Sequence, residues 1–183
     1  MLGRFFSRMS RRGRIAVFIQ LFLWPIVIAY SAGGLGIRLN VTPSVPPGLY
    51  RVTADSNAPF VEFCPPGEFG SLSVERGYRP RGSGCPDHGE RLLKPVIAVS
   101  GDVVQVSPKG ISVNGETIPN STAQERDSYG RTLKAWPFGV YPVETGTIWV
   151  VSQYETRSFD SHYFGPIQLR EVKNRLRPLW TTP

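Results

Sequence analysis

The stretch Asn40-Val41-Thr42-Pro43-Ser44-Val45-Pro46-Pro47-Gly48-Leu49-Tyr50 holds one serine among three prolines. Each proline fixes its own φ near −65° and restricts the residue before it, so the backbone around Ser44 is stiff. A serine hydroxyl becomes a nucleophile when a base takes its proton, and a rigid loop keeps that hydroxyl aimed. Two kinds of base are available. The chain has two histidines, His88 and His162, and a Ser-His-Asp arrangement would have to use one of them. His162, in Ser158-Phe159-Asp160-Ser161-His162-Tyr163-Phe164-Gly165-Pro166, is better placed than His88, which follows the second cysteine.

The other base is Lys94, which interrupts the apolar run Leu92-Leu93-Lys94-Pro95-Val96-Ile97-Ala98-Val99. A lysine buried among such neighbours loses hydration of its charged form, so its pKa falls and a neutral amine becomes available. The competing reading is an edge lysine that extends its ammonium to water, with Pro95 marking the strand edge. Local sequence alone leaves both open.

These residues need a scaffold and a compartment. The formal net charge is +7, but Arg4, Arg8, Arg11, Arg12, Arg14 and Arg38 carry six of it, and residues 1–40 hold no acidic residue. The remainder is nearly neutral, without the basic patch that a phosphate backbone demands, which sets nucleic acid aside as a partner. The arginines precede an apolar stretch from Ile15 that continues through small residues to Ile37. A bilayer core needs roughly 20 such residues in a helix. Basic residues on its N-terminal side place the N-terminus in the cytoplasm. The expected organisation is a basic cytoplasmic segment over 1–14, a transmembrane anchor in the lipid bilayer over 15–37, and an exported domain over 38–183. A cleavable leader with Ala29-Tyr30-Ser31 as its small-x-small site is the alternative, and it exports the same domain.

Both readings put Cys64 and Cys85 on an oxidising side, where a disulfide between them is favoured. Cys85 and His88 also form half of a zinc-like pattern, but a structural zinc wants four ligands and the supply is thin. No metal site is expected.

Beyond Tyr50 the 19 glycines and 17 prolines of the chain punctuate short β-rich runs. Strands are expected over 48–52, 60–63, 92–99, 103–106, 111–113 and 147–152. Ser107-Pro108-Lys109-Gly110 turns the chain between two of them, and Asn114-Gly115 predicts a type I′ hairpin turn. The stretches 65–90 and 119–139 are polar and turn-rich and read as excursions. The fold class is mostly β: an antiparallel β domain behind one N-terminal transmembrane helix.

Three blocks resemble the type I signal peptidase superfamily, and its TraF-type conjugative transfer branch in particular. Asn40-x-Thr42-x-Ser44-x-Pro46-x-Gly48-Leu49-Tyr50 is similar to the nucleophile block. Lys94 with Gly101-Asp102 resembles the block that supplies a lysine base, and Ser158-x-Asp160-Ser161 with Gly165 resembles the late block that lines the site. Val45-Pro46 departs from the general signal peptidases and suits the TraF branch. Ser100 stands where a proline is common, and His162 where an arginine is common.

The resemblance implies a signal-peptidase-like β domain anchored in the inner membrane, with its catalytic part in the periplasm. It implies a Ser44–Lys94 dyad without cofactor or metal, and an oxyanion hole from the Ser44 N–H and the Thr42 hydroxyl. Ser158 would orient the lysine, and Asp160 would support it from behind. The implied substrate is a membrane-inserted precursor, a conjugative pilin in the TraF branch, closed head to tail or hydrolysed. Two rivals stand beside it: a general signal peptidase that removes secretory leaders, and a non-enzymatic periplasmic assembly protein of a conjugation or secretion apparatus.

Overall fold

Residues of β-forming type lie between glycine and proline breaks from Gly48 onward, and the computed structural model pairs them into two antiparallel sheets. The structure describes residues 17, 19–21, 23–25, 27 and 34–182. The expected cytoplasmic segment lies outside the described residues, as do most of the expected anchor and the Ala29-Tyr30-Ser31 site. Among the described residues no helix is long and apolar enough to cross a membrane.

The larger sheet runs in the order β1-β2-β11-β3-β4-β9-β10. Its strands are β1 (Ile37–Asn40), β2 (Gly48–Thr53), β3 (Phe60–Phe63), β4 (Leu92–Ala98), β9 (Thr147–Val150), β10 (Ile167–Gln168) and β11 (Val172–Thr181). The smaller sheet, in the order β7-β6-β5-β8, consists of β5 (Val103–Ser107), β6 (Gly110–Val113), β7 (Glu116–Thr117) and β8 (Gly139–Pro142). The six expected strands are present with ends shifted by up to two residues. Asn114 and Gly115 both have positive φ, 52° and 89°, as a type I′ turn requires.

β9 joins the two halves of the core. All four of its residues are buried because it has apolar neighbours on both faces. Ile148 and Val150 pack with Val61, Phe63, Phe159, Phe164 and Ile167. Trp149 points the other way and, with Val151, meets Val104, Val106, Ile111 and Val143. Strand alternation thus converts one continuous apolar run into two packed faces.

β11 was not expected. It inserts between β2 and β3, pairing with both. Its sequence reads as polar because Lys173, Arg175 and Arg177 alternate along it, while Leu176 alone is fully buried. Pro178, opposite Tyr50, precedes a break in register.

The excursion 65–90 contains helix α1 (Glu68–Glu75), whose Phe69 and Leu72 lie against the core around Phe63. It is held by the Cys64–Cys85 disulfide and by Arg79, which is 3% exposed. Arg79 pairs with Asp87 and donates to Ser73 Oγ at 2.6 Å and to the carbonyls of Gly70 and Glu90. A side chain at Gly89 would collide with this guanidinium, which explains that glycine. Tyr78 Oη donates to Asp127 Oδ2 at 2.6 Å and ties this excursion to the stretch 119–139.

The disulfide closes a loop with a sequence separation of 21 residues. In the chain-entropy account such a closure contributes about 3 kcal/mol. Urea unfolding with and without a reductant should show a loss of that order, and the Cys64→Ser, Cys85→Ser double variant should reproduce it.

Candidate active site

The Ser44 loop follows β1 and returns into β2, and its rigidity has sources beyond its prolines. Asn40 is 8% exposed and its carboxamide organises the turn. Nδ2 donates to the carbonyls of Thr42 at 2.8 Å, Val45 at 3.1 Å and, more weakly, Pro46 at 3.4 Å. Oδ1 accepts from the Thr42 N–H at 3.2 Å and from Thr42 Oγ1 at 2.7 Å. Tyr50, fully buried in edge-on contact with Phe60, donates its hydroxyl to the Pro46 carbonyl at 2.6 Å. Desolvation and then the nearby Tyr154 push the Tyr50 pKa up to about 12, so it stays a donor. Val45 packs beside Tyr50, Phe60 and Leu176 and pins the residue after Ser44 into the core.

Ser44 is 9% exposed. Its carbonyl accepts from Ser152 Oγ at 2.7 Å, across a separation of 108 residues. Ser152 lies just past β9, and its N–H donates to Asp160 Oδ2 at 3.0 Å. Ser152 therefore connects the Ser44 loop to the buried carboxylate.

Lys94 lies on β4 directly opposite Val61 of β3, on the face that Leu92 and Val96 also present to the core around Val61. β4 is flanked by β3 and β9, so Pro95 marks no sheet edge and Lys94 is 4% exposed. The edge-lysine alternative is thereby excluded. Nζ donates to Ser158 Oγ at 2.8 Å. Burial lowers its pKa from the ordinary 10.5 to about 8, against the opposing pull of Asp160 and Glu155.

Asp160 is fully buried and caps α2 (Ser161–Phe164). Its Oδ1 accepts from the His162 N–H at 3.1 Å and lies in close contact with His162 Nδ1. Desolvation would raise its pKa, but the histidine and then Lys94 outweigh that, and the net shift is downward. Burial likewise pushes His162 down, yet the carboxylate beside it brings the net shift upward. The His162 ring faces Asp160 and makes no hydrogen bond to Ser44, so the Ser-His-Asp arrangement is not assembled. His88 is exposed and Cys85 is bonded to Cys64, which removes the half-site considered for zinc.

The structure thus brings Ser44, Lys94, Ser158 and Asp160 into one connected region. The Ser44 and Lys94 side chains share no hydrogen bond with each other; Ser152 joins the Ser44 carbonyl to Asp160, whose charge acts on Lys94. Asp102 proves structural: Oδ2 accepts from the Val99 N–H and Oδ1 from Asn114, closing the turn between β4 and β5. Asn40 and Ser152 carry roles that residue reading did not assign. Asn40 stands four positions before a proline-bound serine, where a carboxamide can satisfy several loop carbonyls, whereas nothing near Ser152 announces a partner so distant in sequence.

Residues 12–180 match the family whose description is signal peptidase, peptidase S26. The chain belongs to this family. Signal peptidases of the S26 type are serine peptidases, and the relatives are of the TraF kind. The chain is 34% identical over 181 residues to a plasmid transfer protein TraF of Escherichia coli, covering 94% of this chain and 99% of that protein. A second plasmid transfer protein TraF of Escherichia coli is 37% identical over 160 residues, 82% of this chain and 87% of the other. Among solved structures, a signal peptidase I of Enterococcus faecalis V583 aligns with a TM-score of 0.37 at 16% identity, covering 69% of this chain and 99% of that one.

Asn40→Ala removes the hub of the Ser44 loop and leaves several loop carbonyls to find water. Stability should fall by about 1–3 kcal/mol in chemical denaturation, with faster amide exchange at Thr42 to Val45. Asn40→Asp should fail similarly, since a carboxylate cannot donate to those carbonyls.

Proposed function

We propose that this chain is a membrane-anchored serine endopeptidase in which Ser44 is the nucleophile and Lys94 the general base. The observation that carries this reading is Lys94 itself: a lysine buried in an apolar sheet, hydrogen-bonded to Ser158, with its proton affinity lowered toward neutrality. Such a lysine costs stability, and membership of a serine peptidase family supplies the reason to keep it.

In the acylation step Ser44 Oγ attacks the scissile carbonyl while its proton passes to neutral Lys94 Nζ. The amine then returns that proton to the leaving nitrogen. Ser158 holds Nζ in one orientation, and Asp160 supports the region from behind. The Ser44 N–H and the Thr42 hydroxyl form the oxyanion hole. In the resting structure that hydroxyl faces Asn40, so serving the oxyanion requires a rotation that exchanges one neutral hydrogen bond for a charge-assisted one. Donors of this kind contribute about 3 to 4 kcal/mol to the transition state.

The anchor is the apolar run that begins at Ile15 and ends before β1, which takes Ile37 as its first residue, with the N-terminus in the cytoplasm and the catalytic domain in the periplasm. The arginine asymmetry and the apolar run support this topology. The substrate is an exported, membrane-inserted precursor cut near the outer face of that membrane. The names of the relatives, plasmid and conjugal transfer proteins, favour a conjugative pilin over secretory leaders in general. The acyl-enzyme ends either in hydrolysis or in attack by the pilin's own N-terminal amine, which closes a ring.

Co-expression of a conjugative pilin precursor with the wild-type chain, followed by intact mass spectrometry, tests this directly. Trimming is expected with wild type and absent with Ser44→Ala. A further loss of one water from the trimmed mass marks ring closure. Lys94→Met, which keeps an apolar side chain in the core, should fold and lose about 10²–10⁴ of the rate. Normal trimming by a folded Lys94→Met protein would overturn the dyad.

Because only the free amine accepts a proton, kcat/KM should rise with pH through about 8 as Lys94 deprotonates. A flat profile from mildly acid to alkaline pH would contradict a lysine base.

A further inference from the structure

Three ionisable side chains are buried together behind the nucleophile loop: Lys94 at 4% exposure, His162 at 4% and Asp160 at 0%. They comprise two groups that can carry positive charge and one carboxylate. The carboxylate has committed partners, with Oδ2 on the Ser152 N–H and Oδ1 on the His162 main-chain N–H and ring Nδ1. In a low-dielectric interior one carboxylate cannot compensate two cations fully, so the two protons compete.

We infer that His162 is a positioning residue whose proton decides how the Asp160 charge is used. While His162 is an imidazolium, Asp160 serves as its counter-charge and the Lys94 amine is free to lose its proton. Once His162 is neutral, Asp160 becomes the counter-charge of Lys94 and holds the amine protonated to higher pH. An arginine at this position would keep its charge throughout; a histidine gives it up.

The surroundings fit this assignment. The charged groups acting on the ring are Asp160, preceding its own helix, and Lys94 from β4, and the Ser121 main chain adds to the hold of Asp160 on the ring proton. Tyr163 follows in the same helix with its ring 6.2 Å away, and the Trp136 N–H donates to the His162 carbonyl from the stretch 119–139. Glu155, on the turn after β9, acts on Lys94 and adds to the hold of Asp160 on the amine. Asp160 raises the proton affinity of His162 while Lys94 lowers it, the sign expected of two cations sharing one carboxylate.

The inference concerns the ionisation of Lys94 and rests on the dyad reading only for its consequence in catalysis. The chain has four lysines, so a full-length protein labelled with 13C-lysine allows the Lys94 Cε signal to be followed against pH, with Lys94→Met as the assignment control. In His162→Arg, whose cation does not titrate, the Lys94 midpoint should move to lower pH by about one unit, about tenfold more free amine at a given pH below it. His162→Gln should titrate close to wild type. A Lys94 midpoint in His162→Arg at or above that of wild type would overturn the inference. Should His162→Arg fail to fold, wild type and His162→Gln decide the matter. The wild-type Lys94 curve should carry a minor inflection from the histidine that His162→Gln lacks, and identical single-step curves would overturn it. Activity in Lys94→Met tests the dyad separately, so failure of one reading is distinguishable from failure of the other.

Discussion

The placement of the Lys94 amine inside an apolar sheet is the constraint to which the rest of the site responds. An isolated ammonium opposite Val61 would be costly, and burial relieves that cost by lowering the affinity for the proton. The relief is only partial, because a neutral amine still needs a hydrogen-bonding partner. Ser158 supplies it, held in place by Phe159 on the core side and by the cap of α2 at Asp160. Asp160 in turn would be an uncompensated buried charge without His162 and the Ser152 N–H. Each group is tolerable only because the next one is present.

The Ser44 loop meets a different requirement with different means. Prolines limit φ before folding and so reduce the entropy lost when the loop is ordered. They also remove N–H groups, which leaves carbonyls to be satisfied from elsewhere. Asn40 and Tyr50 satisfy them from the two flanking strands, and Ser152 reaches the Ser44 carbonyl from the far side of the chain. The final strand completes the support: Thr182 donates its N–H to the Pro47 carbonyl at 2.9 Å, and β11 pairs with the strand that carries Tyr50. The end of β11 thus braces the proline run that follows Ser44.

Legibility in the sequence followed the range of the interactions. β3, β6 and the Asn114-Gly115 turn depend on neighbouring residues, and their positions could be read closely. β11 could not, because its place between β2 and β3 comes from partners more than a hundred residues away and its exposed face is basic. Helix α1 was hidden in a glycine- and proline-rich excursion, where its short apolar face is completed by a disulfide and a buried arginine. Ser44 and Lys94 were nominated by residue type and setting, and Ser158 and Asp160 by the family resemblance, which names candidate parts of a site without placing them.

By itself the sequence determined a basic and then apolar N-terminal segment, a proline-bound serine, a lysine in an apolar run and a mostly β scaffold, because composition and short-range sterics suffice for these. Tertiary structure alone decided that Lys94 lies on an interior strand instead of an edge, since that depends on which strand β9 joins. It alone decided that Asn40 and Ser152 hold the Ser44 loop, and that His162 pairs with Asp160 instead of reaching the serine. These outcomes are set by the relative positions of strands distant in sequence, which no local pattern encodes.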